Sequence, residues 1–264
     1  MTREEKSWYI FEDTSFEGRP RFKWITDCLL GDIRTFLDGI ESYTDNKEKF
    51  AGKLPRGGGN LSVPILISTA LEFVAALYAG KTKYMKNVSY NATDNVRSFI
   101  EDFFTTEYKQ IPLLLWDGVR NGLVHSFYPK SFSTYQKSSQ SSEGYIHFQF
   151  YVEDRNFPSR IKKDKDTIWI SINVFELYRV LEKAIEDYLD KLKHDETLQD
   201  KFIRAWSSIE DYTDKADSNQ SNEVNKLLNY LGSNSAAPIL EDLKKVISMD
   251  VLRIYSYPLT VRRL

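Results

Sequence analysis

Apolar residues recurring every three or four positions constrain this chain more than any other feature. Val174, Leu177, Tyr178, Leu181, Ile185, Tyr188 and Leu192 form one such stripe, and Trp24, Ile25, Cys28, Leu29, Ile33, Phe36, Leu37 and Ile40 form another. A period near 3.6 puts each set on one side of a helix, and each helix must then bury that side against a neighbour. Asn173 followed by Glu176 marks the start of the first stripe. Three further helices are expected around it. Ser62 is positioned to cap one that has Pro64 in its first turn and runs to about Ala79. Thr93 or Asp94 would cap the next, which turns Val96, Phe99, Ile100, Phe103 and Phe104 inward. A third runs from Leu198 to about Tyr212 with Phe202, Ile203, Trp206 and Ile209.

Between these lies an apolar segment that begins near Ile111, is opened as a helix by Pro112, and stops at Tyr128-Pro129. Leu113, Leu114, Leu115, Trp116, Val119, Leu123, Val124 and Phe127 are its candidate core positions. Two stretches break the helical rule. Tyr145 to Val152 alternates, with Ile146, Phe148, Phe150 and Val152 on one face, and Thr167 to Val174 places Ile168, Ile170 and Ile172 together. Two such runs joined by the charged linker Glu153 to Asp166 predict a β-hairpin. The expected architecture is mostly α, a helical bundle over 1–212 with the hairpin inserted at about 131–172. The remainder, 213–264, reads as a linker rich in Asp, Ser, Asn and Gln, then a helix over Ile239 to Met249 and an edge strand ending at Pro258.

Composition removes several function classes. The 264 residues carry a net charge of −2, so no global positive field draws in nucleic acid, and any such affinity must be local. One cysteine, Cys28, excludes an internal disulfide, and with three histidines it supplies no clustered metal ligands. Cys28 sits in an apolar pattern and is expected to be buried. No cofactor is indicated. Gly57-Gly58-Gly59 lacks the Lys-Ser/Thr that ends a phosphate loop, and Gly80-Lys81-Thr82 leaves a helix rather than a strand. The N-terminus lacks the layout of a signal peptide and no apolar run reads as a membrane span, so the expected setting is the cytoplasm, without membrane contact.

Chemistry concentrates in Arg120-Asn121-Gly122-Leu123-Val124-His125. On a helix, Asp117, Asn121 and His125 are four apart and share a stripe, with Arg120 one step round and Tyr128 extending the ridge. Histidine exchanges a proton near neutral pH, and arginine grips phosphate through a permanent charge. From Gly118 to Ser142 the sequence holds no Asp or Glu, in a chain with 38 of them. Arg120, Lys130 and Lys137 alternate there with Phe127, Tyr128, Phe132 and Tyr135, a composition suited to a single-stranded RNA groove. The seven serines of the same window equally describe a polar loop. On the helix from Ser62, small residues let a neighbour approach closely, so Glu72 would sit in a tight contact and need a cation, with Arg120 the first candidate; the alternative is a solvated Glu72 at the edge of that contact.

An Arg followed by a polar residue, with His five positions on, at the end of a helix in a helical bundle, resembles the HEPN family (higher eukaryotes and prokaryotes nucleotide-binding), whose signature is R-x4-6-H. The matching residues are Arg120, Asn121 and His125, and the resemblance covers roughly 62–212. It implies a metal-independent endoribonuclease, a hydrolase of RNA that works as a homodimer, often as a toxin or in phage defence, with a possible antitoxin or defence-operon partner. His125 would transfer protons, Arg120 would hold charge on the phosphate, Asn121 would orient an oxygen and Glu72 would complete the catalytic set. Tyr128, Lys130 and Asp117 are the substrate-binding candidates. Two other readings remain: an Arg that caps carbonyls beside a packed His, and a non-catalytic module that dimerises or binds a partner.

Overall fold

The computed structural model describes residues 1–45, 61–126, 129–134, 144–151, 158–212, 220–222 and 225; for 43–45, 106, 125, 126, 133 and 134 it describes the backbone alone. The chain divides into two units, 1–206 and 207–264. The second is described only over 207–212, 220–222 and 225, so the expected linker, helix and edge strand beyond 213 lie outside the described residues, apart from helical positions at 220–222 and 225.

The first unit is mostly α. Helix α1 (Arg3–Phe11) opens on a capping box, in which the Thr2 hydroxyl accepts from Glu5 N–H while the Glu5 carboxylate accepts from Thr2 N–H. α2 (Arg21–Lys23), a π segment (Trp24–Leu29) and α3 (Leu30–Asp45) follow without a break. Ile25, Ile33, Leu37 and Ile40 of the expected stripe are buried, and so is Leu30, which the stripe leaves out; Phe36 is exposed, and Cys28 and Leu29 are only partly covered. A buried ion pair, Arg21 to Asp13 at 2.7 Å, ties α2 back to the turn after α1, and Arg21 also lies over the Tyr9 ring.

Helix α4 (Ser62–Ala79) is the central element, with Val63, Ala70, Val74, Ala75 and Leu77 fully buried. Leu61, not Ser62, occupies its cap position, and no side chain caps it; Ser62 is its first helical residue. By length and composition α4 could cross a membrane, contrary to the expectation that no run would; more than half of it is covered by the rest of the fold. Gly80 ends α4 in the left-handed region at φ 66°, and its carbonyl accepts from Arg204. A Cβ there would lie 2.8 Å from Lys201 Cβ, so the glycine of Gly80-Lys81-Thr82 is a helix stop against a neighbouring helix rather than part of a phosphate loop.

α5 (Ala92–Phe103) is capped by Asn91, whose side-chain oxygen accepts from Thr93 and Asp94 N–H; the cap lies two or three residues before the expected one. After α6 (Thr106–Lys109), the motif-bearing helix begins with Pro112 in its first turn as α7 (Pro112–Leu115), widens into a π segment (Trp116–Asn121) and closes as α8 (Gly122–Ser126). Leu115, Trp116, Val119 and Leu123 are buried, whereas Leu113 and Val124 are exposed. Trp116, Val119 and Leu123 are spaced i, i+3 and i+7 and share the buried face, whereas Val124, about 100° round the helix from Leu123, turns outward.

Strands β1 (Phe132–Thr134), β2 (Gly144–Tyr151), β3 (Arg160–Asp164) and β4 (Thr167–Asn173) form one sheet in the order β1-β2-β4-β3. The two apolar runs do pair, but parallel, with Ile146 opposite Ile168, Phe148 opposite Ile170 and Phe150 opposite Ile172. This corrects the expected hairpin. The true hairpin is β3 with β4, formed inside what reads as a charged linker, and its turn includes Lys165 at φ 52°. The physical reason is burial: the apolar runs take the two central positions, and the fully exposed, cationic β3 takes the edge. Likewise, Phe132 to Thr134 is a strand within the stretch expected to be loop.

Asn173 caps α9 (Val174–His194), accepting from Phe175 and Glu176 N–H, and all seven residues of the expected stripe are buried. α10 (Glu196–Glu210) then places Phe202 and Trp206 in the core. Trp206 meets Phe16, Trp24, Phe73 and Phe202 at centroid distances of 5.3 to 6.0 Å, so one ring joins the π segment after α2, α4 and α10. Such ring pairs contribute about 0.5–1.5 kcal/mol each beyond burial.

Candidate functional site

The π segment places the motif. Within it Gly118 has no room for a side chain: a Cβ would lie 2.5 Å from Phe148 Cε2, so the absence of a side chain lets β2 press against the helix. The Gly118 carbonyl accepts the Lys130 N–H at 3.0 Å, which brings the chain back to the helix just before β1. Trp116 and Val119 anchor the other side in the core, and Arg120 and Asn121 are left half-buried at the margin.

Arg120 extends across to α4, where its Nη2 meets Glu72 Oε2 at 3.1 Å. The contact is close because Ser68, Ala75 and Ala76 of α4 are small and buried. The side chains of Arg120 and Glu72 are 27% and 25% exposed, so Glu72 both reaches the edge of the helix contact and finds a cation there. Arg120 Nη1 donates to Asn121 Oδ1 at 3.0 Å, and the guanidinium stands 5.5 Å from the Trp116 ring centre. Asn121 Nδ2 in turn donates to Asp117 Oδ1 at 2.7 Å, the four-residue contact that the motif spacing predicts. Lys130 Nζ closes on Asp117 Oδ2 at 2.6 Å.

At the other end, the Tyr90 hydroxyl donates to Glu72 Oε1 at 3.1 Å. Six side chains thus form one line: Tyr90, Glu72, Arg120, Asn121, Asp117 and Lys130. Burial, and then the Glu72 carboxylate it faces, push the Tyr90 phenol far above its usual pKa, so it stays a donor. Burial also pushes the Asp117 carboxyl up, but the hydrogen bonds from Asn121 and Lys130 and the lysine charge together outweigh it and hold the group below the ordinary carboxylate value. Alternating donors and acceptors fix the orientation of every member.

Of the residues singled out from sequence, Arg120, Asn121, Glu72, Asp117 and Lys130 come together. His125 lies on the helix five residues after Arg120, but its side chain falls outside the described residues, as do Tyr128, Phe127, Tyr135 and Lys137. Tyr90 is the member that sequence reading missed. It lies between α4 and α5 in a segment without periodicity, and only its contact with Glu72 reveals it. His147 of β2 is half-buried, its Nδ1 2.7 Å from Ser131 Oγ, and His194 is exposed at the end of α9. Among the described residues, no group of His, Cys, Asp or Glu comes together in a way that could hold a metal ion. A shallow pocket elsewhere, lined by residues such as Phe11, Phe22 and Asp187, includes none of the six.

Fold and site together define a mostly α protein with a four-stranded mixed sheet and an arginine oriented by a carboxylate from a neighbouring helix. Comparison with protein families, with curated proteins and with solved structures returns no match.

Proposed function

We propose that this chain is a metal-independent endoribonuclease of HEPN type, built on a HEPN-like helical bundle and acting as a homodimer, with a role as a toxin or phage-defence effector in the cytoplasm. The observation that supports it best is the clamp on Arg120, held by Glu72 and aligned by Asn121 on the helix that also carries His125. A planar cation with a fixed orientation suits the charge that builds on phosphate oxygens during cleavage.

In this reading the His125 imidazole takes the proton from a ribose 2′-hydroxyl. The 2′-oxygen bonds to the adjacent phosphorus, the bond to the 5′-oxygen breaks, and a protonated imidazole returns a proton to that leaving oxygen. The products are a 2′,3′-cyclic phosphate and a 5′-hydroxyl. One histidine cannot hold both protonation states at once, so the second comes from the partner copy. Arg120 stabilises the phosphorane charge, and Glu72 keeps the guanidinium in plane.

The test is incubation of purified protein with RNA in EDTA, beside His125→Ala and Arg120→Ala. Each change is expected to reduce cleavage by about 10² to 10⁴. Cleavage that requires a metal, or that survives both changes, defeats the reading. One observation favours a second reading, a dimerisation or partner-binding module: Arg120 and Lys130 are each paired with a carboxylate of this chain. A dimer that cleaves no RNA, and whose expression does not arrest growth in a way relieved by His125→Ala, would support that module.

A further inference from the structure

The sheet has a second face that the motif does not use. Phe148, Phe150, Ile170 and Ile172 point to the core, so Tyr145, His147 and Gln149 of β2 and Thr167, Trp169 and Ser171 of β4 share the opposite face. Three rings stack across it. His147 lies 4.9 Å from Trp169 with planes 30° apart, and Tyr145 lies 6.2 Å from His147 with planes 23° apart. Although they form a row, Tyr145 remains 41% exposed and Trp169 38% exposed.

We propose that this outer sheet face is a stacking platform for single-stranded RNA. The inference rests on the RNA-directed reading above and adds the surface that holds the strand. Nucleic-acid bases stack on aromatic faces regardless of sequence, while neighbouring cations follow the phosphates. Both parts are in place. Lys162 of β3 is the cross-strand partner of Trp169, Arg160 is that of Ser171, and β3 is exposed along its whole length. The indole face turned away from His147 therefore looks toward a cationic edge. Asp164 is the one carboxylate on this face of β3 and lies at its far end, opposite Thr167.

At the other edge, two consecutive residues connect platform and motif. Lys130 bonds to Asp117 of the arginine network, and Ser131 bonds to His147 of the ring row. A strand stacked on Trp169 and leaving over this edge meets Ser131 and the half-exposed Lys130. The edge sets a path from the rings toward Arg120.

The experiment measures fluorescence anisotropy of a labelled oligouridylate of about twelve nucleotides, with the full chain carrying His125→Ala and in EDTA. Binding that weakens with salt is expected, and Trp169→Ala should reduce affinity about tenfold or more while Trp169→Phe retains most of it. Lys162→Glu, on an exposed edge strand where folding is not at stake, should reduce it several-fold. Unchanged affinity in both Trp169→Ala and Lys162→Glu, or equal affinity for a duplex of the same length, overturns the proposal. Cleavage by the parent chain is scored separately. If Arg120→Ala abolishes cleavage while Trp169→Ala leaves both binding and cleavage intact, the platform fails and the nuclease reading stands. The converse pattern removes the nuclease and keeps the platform.

Discussion

Helix α9 and the motif-bearing run from Pro112 to Ser126 both bury apolar side chains in the core, yet they are built on opposite terms. α9 is regular from its Asn173 cap to His194 and buries one continuous stripe. The motif run changes pitch in the middle, accepts a strand side chain at Gly118 and carries Arg120 and Asn121 at its margin, tied to α4 and to the chain before β1. In α9 each side chain contributes to stability on its own. Around the π segment, the same interactions that hold the helix also aim the polar groups, so a change there should appear in the site as much as in the fold.

The largest stability effect is expected in α9. Leu181 is fully buried, and Leu181→Ala should cost about 2–5 kcal/mol in denaturant unfolding, with little change at the site beyond that loss. Gly118→Ala should cost about 1–3 kcal/mol by overpacking against Phe148, more than the helix propensity gained. Adding Phe148→Leu should restore part of it, and a Gly118→Ala variant as stable as the parent would erase the contrast between the two helices. Asn173→Ala removes the α9 cap, with an expected loss of about 1 kcal/mol read as a lower melting temperature.

The smallest effect is electrostatic. The folded pKa of Asp117 lies below its ordinary 3.8, so its pairing contributes fully above that value and is lost as pH falls through the folded one. Lys130→Met should therefore lessen the acid-side decline of stability below about pH 4. An identical decline in parent and variant would remove Lys130 as a cause.

Much of the helical frame can be read from the chain because its signals are local. Asn173 with Glu176, Pro112 at a helix start and the stripe of α9 each act within a few residues, and each is found where periodicity puts it. The Glu72 to Arg120 contact is also foreseeable, since small residues on α4 predict a close neighbour and a half-buried carboxylate needs a cation. Tyr90 gives no such signal, because a loop residue joins the network only through where the loop is carried. Strand direction is likewise hidden: alternation marks Ile146 to Phe150 and Ile168 to Ile172 as faces, but it is the same for parallel and antiparallel partners.

By itself the sequence determined where the helices with long apolar stripes lie, which residues of β2 and β4 turn inward, and that one guanidinium, one amide and one imidazole share a short stretch of helix. These are consequences of period and of side-chain chemistry, which act over a few residues. Tertiary structure alone decided that the two apolar strands run parallel, that the helix widens at Trp116–Asn121 where Gly118 receives Phe148, and that six polar side chains from four stretches of chain join in one line. Those outcomes depend on contacts between residues far apart in the chain, where packing space and unpaired polar groups leave few arrangements open.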